Sequence, residues 1–267
     1  LDPEAPPEAE NLERAVAYLK SAARDGARLV LFPELYPGPQ DPEKDVHDLQ
    51  TVTAAISEAV EDCGVWVLFN GKAPAPDGTY NQAILVDPEG KTVARYNKMI
   101  PAVGEPNQAG DSPVVVEIEG VRVGILICWE LWFPEVARTL RLMGADLILA
   151  PTGGILYELT ENWRTILRAR ALENNCYVGM AVNTFALEDG LCEVAGPEGP
   201  VATRTGEGLL HAQLDMDRLR YLRATDERIL VPKPYRAVPG LLRALPKKVM
   251  KEYGEAADSY LNFHFGE

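Results

Sequence analysis

In residues 123–135 a run rich in β-branched side chains, Val123-Gly124-Ile125-Leu126-Ile127, ends on Cys128, and Pro134-Glu135 then open a helical pattern through Val136, Leu140 and Met143. The thiol is therefore expected at a strand-to-helix junction. There the positive end of the helix and its free backbone N–H groups favour a thiolate and hold an oxyanion, as acyl transfer through cysteine requires. An isolated cysteine at a strand end is ordinarily an inert small hydrophobe, so Cys128 needs partners before it reads as a nucleophile. Glu34 closes the strand Leu29 to Phe32 after Pro33. A glutamate held among apolar walls has its pKa raised from ~4.3 toward neutrality and can serve as the base for a thiol that lacks a histidine. Lys98 closes the hairpin arm Thr92 to Tyr96, where an ammonium offsets a developing oxyanion or helps to hold the thiolate. Taken singly, each is a solvated charge at a strand end. It is their joint placement at strand ends that points to a site.

Other chemistries find little support. The histidines are His47, His211 and His264, in no zinc-binding spacing. The serines Ser21, Ser57, Ser112 and Ser259 form no G-x-S-x-G elbow, and neither a Walker loop nor G-x-G-x-x-G follows a strand. A formal net charge of −14 argues against nucleic acid and against an anionic membrane surface. Cys63, Cys128, Cys176 and Cys192 lie far apart with no C-x-x-C pair, which fits a reducing cytoplasm. No apolar run approaches a membrane-spanning length, and the acidic, proline-rich opening is unlike a signal peptide. A cytoplasmic protein is expected.

The elements that would carry these residues follow from periodicity. Asn11 is expected to cap a helix with the apolar face Leu12, Val16, Leu19 and Ala23, closed by Asp25-Gly26, before the strand Ala27 to Phe32. Residues 35–48 read as a site-bordering loop, and a helix through Val52, Ile56, Ala59 and Val60 stops at Gly64. The strand Val65 to Phe69 precedes a hairpin, Tyr80 to Val86 with Thr92 to Tyr96, and a second hairpin, Val114 to Ile118 with Val121 to Ile127, delivers Cys128. Further on come the strand Ala145 to Ala150, a helix over 162–174, the strand Tyr177 to Val182, a hairpin over 191–203, the strand Gly208 to Leu214, and helices from Asp217 onward, with a last amphipathic one through Leu241, Leu242, Leu245 and Val249. Strands interleaved with helices give an α/β class, a sheet-rich core covered by helices.

Several segments together resemble the nitrilase superfamily of carbon-nitrogen hydrolases. They are Leu31-Phe32-Pro33-Glu34, Arg95-Tyr96-Asn97-Lys98, Gly104-Glu105, Ile127-Cys128-Trp129-Glu130 with Phe133-Pro134-Glu135, Gly144-Ala145-Asp146 through Pro151-Thr152, Arg168 through Asn174, Asn183, and Pro197-Glu198-Gly199. The similarity runs from about residue 10 to about residue 217. It implies a four-layer α-β-β-α sandwich, one hydrolase domain over 1–267 with 218–267 as a C-terminal extension, and assembly into homodimers or larger homo-oligomers. It further implies Cys128 as nucleophile, Glu34 as general base, Lys98 as stabiliser of the tetrahedral intermediate, Glu105 as the second, positioning glutamate, and the backbone N–H of Trp129 in the oxyanion hole. No metal or organic cofactor is implied. Arg170 and Glu173, one helical turn apart, are expected to form a structural ion pair that supports the sheet.

Two departures stand out. Members of that superfamily carry a strand ahead of the first helix, and this sequence opens beyond that position, so either it is trimmed or one sheet edge lacks a strand. Met99-Ile100-Pro101 stand where many members carry a histidine after the lysine. For the substrate, Trp132-Phe133-Pro134-Glu135 resembles N-carbamoyl-amine amidohydrolases of the carbamoylputrescine type, so a small linear amide or N-carbamoyl compound is expected, with Asp41, Glu43 and Asp111 as loop acids able to meet a cationic amine. Nitrile hydrolysis by the same residues, transfer to an acceptor other than water, and a catalytically idle binding or assembly relative are the alternatives.

Overall fold

The computed structural model describes residues 8–41, 45, 47–155, 157–184, 190–225 and 251. The chain divides into two compact units, Leu1–Ala224 and Thr225–Glu267, and the architecture is that of the first. Helix α1 (Glu8–Arg24) leads to strand β1 (Leu29–Leu31) and α2 (Leu49–Cys63), then β2 (Trp66–Ala75), β3 (Gly78–Val86) and β4 (Thr92–Asn97). Strands β5 (Val114–Ile118) and β6 (Val121–Ile125) run into a 3-10 turn, Cys128–Trp132, and α3 (Pro134–Leu142). After β7 (Leu147–Thr152) come α4 (Thr160–Asn174), β8 (Tyr177–Val182), β9 (Cys192–Gly196), β10 (Gly199–Arg204) and α5 (Met216–Thr225).

The strands form two sheets, one ordered β1-β2-β3-β4 and the other β10-β9-β8-β7-β6-β5. Three apolar clusters show how they stack. The faces of α1 and α2, with Leu19, Val52, Ile56 and Val60, pack on Val30, Phe32, Val67, Phe69, Ile84 and Val86 of the first sheet. The opposite face of that sheet, with Leu68, Leu85 and Tyr96, meets Val123, Ile125, Leu147 and Leu149 of the second. Behind it, Ile148, Ala150, Val178 and Met180 pack on Val136 and Leu140 of α3 and Trp163 and Leu167 of α4. Alternate side chains of a strand point to opposite faces, and here both faces of each sheet are covered, giving the α-β-β-α sandwich. Strands β7 and β8 are buried at every residue, as their nearly unbroken apolar sequences require of parallel strands covered on both sides.

Local sequence explains most boundaries. Asp48 caps α2 by accepting from the Thr51 N–H at 2.7 Å, and Gly64 ends it in the left-handed region at φ 65°. Pro134 opens α3 at a position where a missing N–H costs nothing.

Several expectations need correction. Asn11 lies inside α1 rather than capping it, because Glu8, Ala9 and Glu10 extend the helix with good formers and acids at its N-terminus. Strand β2 runs on from Phe69 to Ala75, since pairing with β3 continues after β1 has ended, and Pro74 is tolerated there on the free edge. Residues 208–214 are irregular, not a strand. They line a groove of about 1240 Å³ together with Leu29 and Leu31 of β1, and β1 is paired with β2 alone among the named strands. The amphipathic helix expected near Leu241 lies outside the described residues. Of the extension expected from 218, only its first residues in α5 and Lys251 are described. No helix among the described residues is long and apolar enough to cross a membrane.

Candidate active site

Four chain segments end together. Glu34 follows β1, Lys98 follows β4, Cys128 follows β6, and Thr152-Gly153 closes β7. The carboxyl ends of strands are where a sheet leaves backbone groups unpaired and a crevice open to a ligand.

Glu34 is fixed by contacts from three directions. Its N–H donates to Thr152 O at 3.2 Å, its carbonyl accepts from Asn183 Nδ2 at 2.7 Å, and its Oε2 accepts from the Gly153 N–H at 2.8 Å. Its Oε1 accepts from Lys98 Nζ at 2.8 Å and from Asn81 Nδ2 at 2.8 Å. The next residue, Leu35, turns at φ 53° and donates its N–H to Asn70 Oδ1.

Lys98 is shared between two acids, since its Nζ also donates to Glu105 Oε2 at 2.8 Å. Its side chain is only 2% exposed. Burial works against the ammonium, but Glu34, the Cys128 position and Glu105 outweigh it and hold the group charged, above the usual lysine range. Glu105 in turn accepts from Asn81 Nδ2 and Asn107 Nδ2 on Oε1, and from the Ala102 N–H on Oε2. Burial would raise its carboxyl, yet hydrogen bonds from Lys98 and Asn81 hold it below the ordinary value.

Cys128 stands at φ 50°, a left-handed conformation that a residue with a side chain rarely adopts. It opens the 3-10 turn rather than an α-helix, α3 beginning only at Pro134. The thiol is pushed well above its ordinary value by burial and then by the neighbouring Glu34 carboxylate, which together outweigh the Lys98 ammonium and the Gly153 N–H. The expectation that the junction favours a resting thiolate is thereby corrected. The group that meets the positive end of this turn is not the sulfur but Glu130, whose Oε2 accepts from the Ile127 N–H at 2.6 Å. Trp129 follows in the turn, and its amide N–H, preceding the turn's first internal bond from Glu130 N to Ile127 O, lies outside that ladder. Its indole stacks on Trp132 at 5.6 Å.

Cys128, Glu34, Lys98 and Glu105 are thus in one cluster. The loop acids are not part of it: Asp111 is exposed, Asp41 donates its N–H to Asp45 Oδ2, and Glu43 lies outside the described residues. Arg170 does pair with Glu173, Nη1 to Oε1 at 2.9 Å, but its other donors reach the carbonyls of Leu131 and Trp132, so it braces the Cys128 turn rather than the sheet.

Sequence reasoning passed over Asn81, which donates to both glutamates, and Asn107, which holds Glu105 and is itself held by Thr79. A signal for Asn81 existed: a polar residue inside the apolar alternation of β3, and wholly buried there, needs partners. Among the described residues no group of three or more His, Cys, Asp or Glu is placed to hold a metal ion.

Known proteins resemble this chain in sequence and in fold. Omega-amidase NIT2 of Xenopus tropicalis is 28% identical over 242 residues, spanning 82% of this chain and 87% of its own length. Deaminated glutathione amidase of Synechocystis sp. is likewise 28% identical over 242 residues, covering 80% of this chain and 89% of the relative. Among solved structures, a Glu-to-Gln variant of the amidase from Nesterenkonia sp. AN1, carrying acrylamide added to its active-site cysteine, superposes with a TM-score of 0.72 at 26% identity over 84% of this chain and 94% of that one. The carbon-nitrogen hydrolase family model matches residues 2–224, nearly all of the first compact unit, and the chain belongs to that family, within the nitrilase superfamily.

Proposed function

We propose that this carbon-nitrogen hydrolase cleaves a small linear amide or N-carbamoyl compound through a thioester on Cys128, releasing ammonia. The observation that carries the reading is the meeting of a thiol, on a residue held at φ 50° beyond the end of β6, with a buried Glu34–Lys98 pair that Glu105 joins from a half-buried position.

Each role follows from the surroundings. The thiol is protonated at rest, so attack requires a base, and the Glu34 carboxylate is the neighbour that raises it. As Sγ bonds to the amide carbon its proton passes to Glu34, and the carbonyl oxygen becomes an oxyanion. Lys98 Nζ, itself buried, and the Trp129 N–H supply the compensating charge and dipole. Glu34 then gives its proton to the departing nitrogen, the C–N bond breaks and ammonia leaves. A water molecule, losing its proton to Glu34, hydrolyses the thioester and restores the thiol. Glu105 shares the Lys98 ammonium with Glu34 and so fixes its position beside the base.

Amide cleavage is favoured over nitrile hydrolysis because both sequence relatives described above carry amidase names. We further read the protein as cytoplasmic, in keeping with its free cysteines, and as a homo-oligomer. The ends of α3 and α4, joined by Arg138 and Arg141 donating to the carbonyls of Glu173 and Asn174, leave Leu142 69% and Leu172 53% exposed, a surface suited to a second copy.

The test is ammonia release from a panel of aliphatic amides, N-carbamoyl amines, N-carbamoyl amino acids and nitriles, with Cys128→Ala as the blank. Release from an amide or carbamoyl compound, absent in the blank, supports the reading and names the branch. Turnover of nitriles alone overturns the substrate class. An inert panel together with a thiol that resists alkylation restores the idle binding relative.

A further inference from the structure

The mechanism leaves one buried carboxylate unused. Glu130 lies two residues beyond Cys128 and is completely buried. Its two oxygens serve two different segments. Oε2 accepts from the Ile127 N–H at 2.6 Å, on the residue before the nucleophile. Oε1 accepts from Tyr96 Oη at 2.6 Å, the Met99 N–H at 2.7 Å and the Ile100 N–H at 3.1 Å, on both sides of Lys98.

We propose that Glu130 is a positioning residue for catalysis, a clip whose buried carboxylate sets the distance between the Cys128 elbow and the strand end that carries Lys98. The inference rests on the reading of Cys128 as nucleophile and adds a residue to it. Cys128 belongs to the second sheet and Lys98 to the first, so their separation depends on what spans the two sheets at this point. One rigid side chain hydrogen-bonded to both does so directly. The three backbone N–H groups can only donate, which matches the acceptor-only carboxylate form, against the burial that pushes this carboxyl above the ordinary glutamate value. The segment Met99-Ile100, standing where many members of the superfamily carry a histidine, thereby gains a role through its amides rather than its side chains. From the far end Arg170 holds the carbonyls of Leu131 and Trp132, so the Cys128 turn is anchored on both flanks.

Glu130→Gln separates the two halves of the clip. Its single oxygen is best placed where three donors converge, which leaves the amide NH₂ against the Ile127 N–H and releases the elbow alone. The expected result is a kcat lower by about 10²-fold, the cost of a misplacement near 1 Å, with KM changed less than about threefold because no substrate contact is lost. The loosened thiol, less buried, is expected to titrate nearer its ordinary value and to react faster with iodoacetamide at neutral pH. Slower turnover with a faster thiol is the signature, because a purely structural role would lower the thermal midpoint and the folded fraction without dividing the two rates.

Tyr96→Phe removes one donor from the Oε1 side and is expected to shift both readings in the same directions by a smaller factor, about threefold to tenfold in kcat. Should Glu130→Gln not fold, Tyr96→Phe decides by the same two readings. Wild-type kcat and wild-type alkylation in a folded variant overturn the proposal, as does activity that falls only with the folded fraction. A wild-type protein inert on every amide counts against the substrate reading instead, while the alkylation profiles still test Glu130.

Discussion

Glu34 Oε1 and Lys98 Nζ lie 2.8 Å apart, although β1 and β4, which lead to them, are opposite edges of one sheet with β2 and β3 between. The chain beyond each strand end turns inward, and Asn81, on β3 between them, joins the two sides by donating to Glu34 and Glu105. This is an ion pair out of water, and breaking such a pair by removing one partner costs about 3–5 kcal/mol because the other charge stays buried. Lys98→Met is therefore expected to lower stability by about that much in urea unfolding, and to reduce kcat by at least ~10²-fold through loss of the charge at the oxyanion. Lys98→Arg is not expected to restore activity, since a planar guanidinium cannot occupy the compact position between Glu34 and Glu105.

Glu34→Gln separates turnover from thiol acidity. Burial is the first cause of the raised thiol value and the Glu34 carboxylate the second, while Lys98 pulls it down. Neutralising Glu34 removes one raising influence and leaves Lys98 unopposed by it, so the thiol pKa moves down. Thiolate absorbance followed against pH should show the transition at lower pH in the variant than in the wild type. Amide turnover should fall by ~10²-fold or more, the contribution of a positioned base. A transition that moves up, or stays in place, would remove Glu34 from contact with the thiol.

Much of this was legible in the sequence because chemistry and periodicity coincided. Glu34 and Cys128 each follow an apolar run and Lys98 closes a hairpin arm, and the structure finds these segments as β1, β6 and β4, with their ends converging. The less legible parts arise from contacts distant in sequence. Asn81 has no local mark of function beyond being polar in an apolar strand, and its role depends on Glu105 arriving from a loop. The thiol's raised value follows from burial and from Glu34, far away in the chain, whereas a local reading of the junction gave weight to the helix end, where Glu130 already sits. The irregular stretch 208–214 shows the same limit: its alternating pattern suits a strand, but a strand also needs a partner edge, and none pairs with it.

Asn81→Ala tests the bridge between the two glutamates. Its amide is buried, and Nδ2 stands 2.8 Å from both Glu34 Oε1 and Glu105 Oε1. Removing it leaves two carboxylates close together with Lys98 as their shared donor. We expect kcat to fall by about tenfold to a hundredfold with the base misplaced, and stability to fall by about 1.5–3 kcal/mol for the lost hydrogen bonds to charged acceptors. Asn81→Asp, which adds a third negative charge, should be worse than Ala in both respects, and the reverse order would mean that the amide acts only by filling space.

Glu105 predicts a pH dependence of stability. Its carboxyl is held below the ordinary glutamate value by Lys98 and Asn81. The folded state therefore binds that proton less readily than the unfolded chain does. The stabilisation is fully present above the unfolded value of about 4.3 and is lost as pH falls through the folded value. Urea midpoints measured from neutral pH into acid should show the advantage of wild type over Glu105→Gln shrinking below about pH 4. An advantage that grew in acid would reverse the sign and reject the pairing with Lys98.

Gly153→Ala is the most local of these tests. Gly153 brings its N–H to 2.8 Å from Glu34 Oε2, and a Cβ on that residue would stand 2.8 Å from the same oxygen. Real Cβ atoms are essentially never that close to another heavy atom, so the carboxylate must move. Glu34 cannot move far as a residue, because its N–H is bonded to Thr152 and its carbonyl to Asn183, so the adjustment falls on the side-chain torsions. Rotating them draws Oε1 away from Lys98 and the carboxylate away from the thiol. The backbone at 153 needs no positive φ, so alanine is conformationally acceptable there and the fold should persist. We expect kcat to drop about 10²-fold, as for a base displaced by near 1 Å, with a thermal midpoint close to wild type. Activity near wild type in Gly153→Ala would mean that the base does not need the position in which Gly153 and Lys98 hold it.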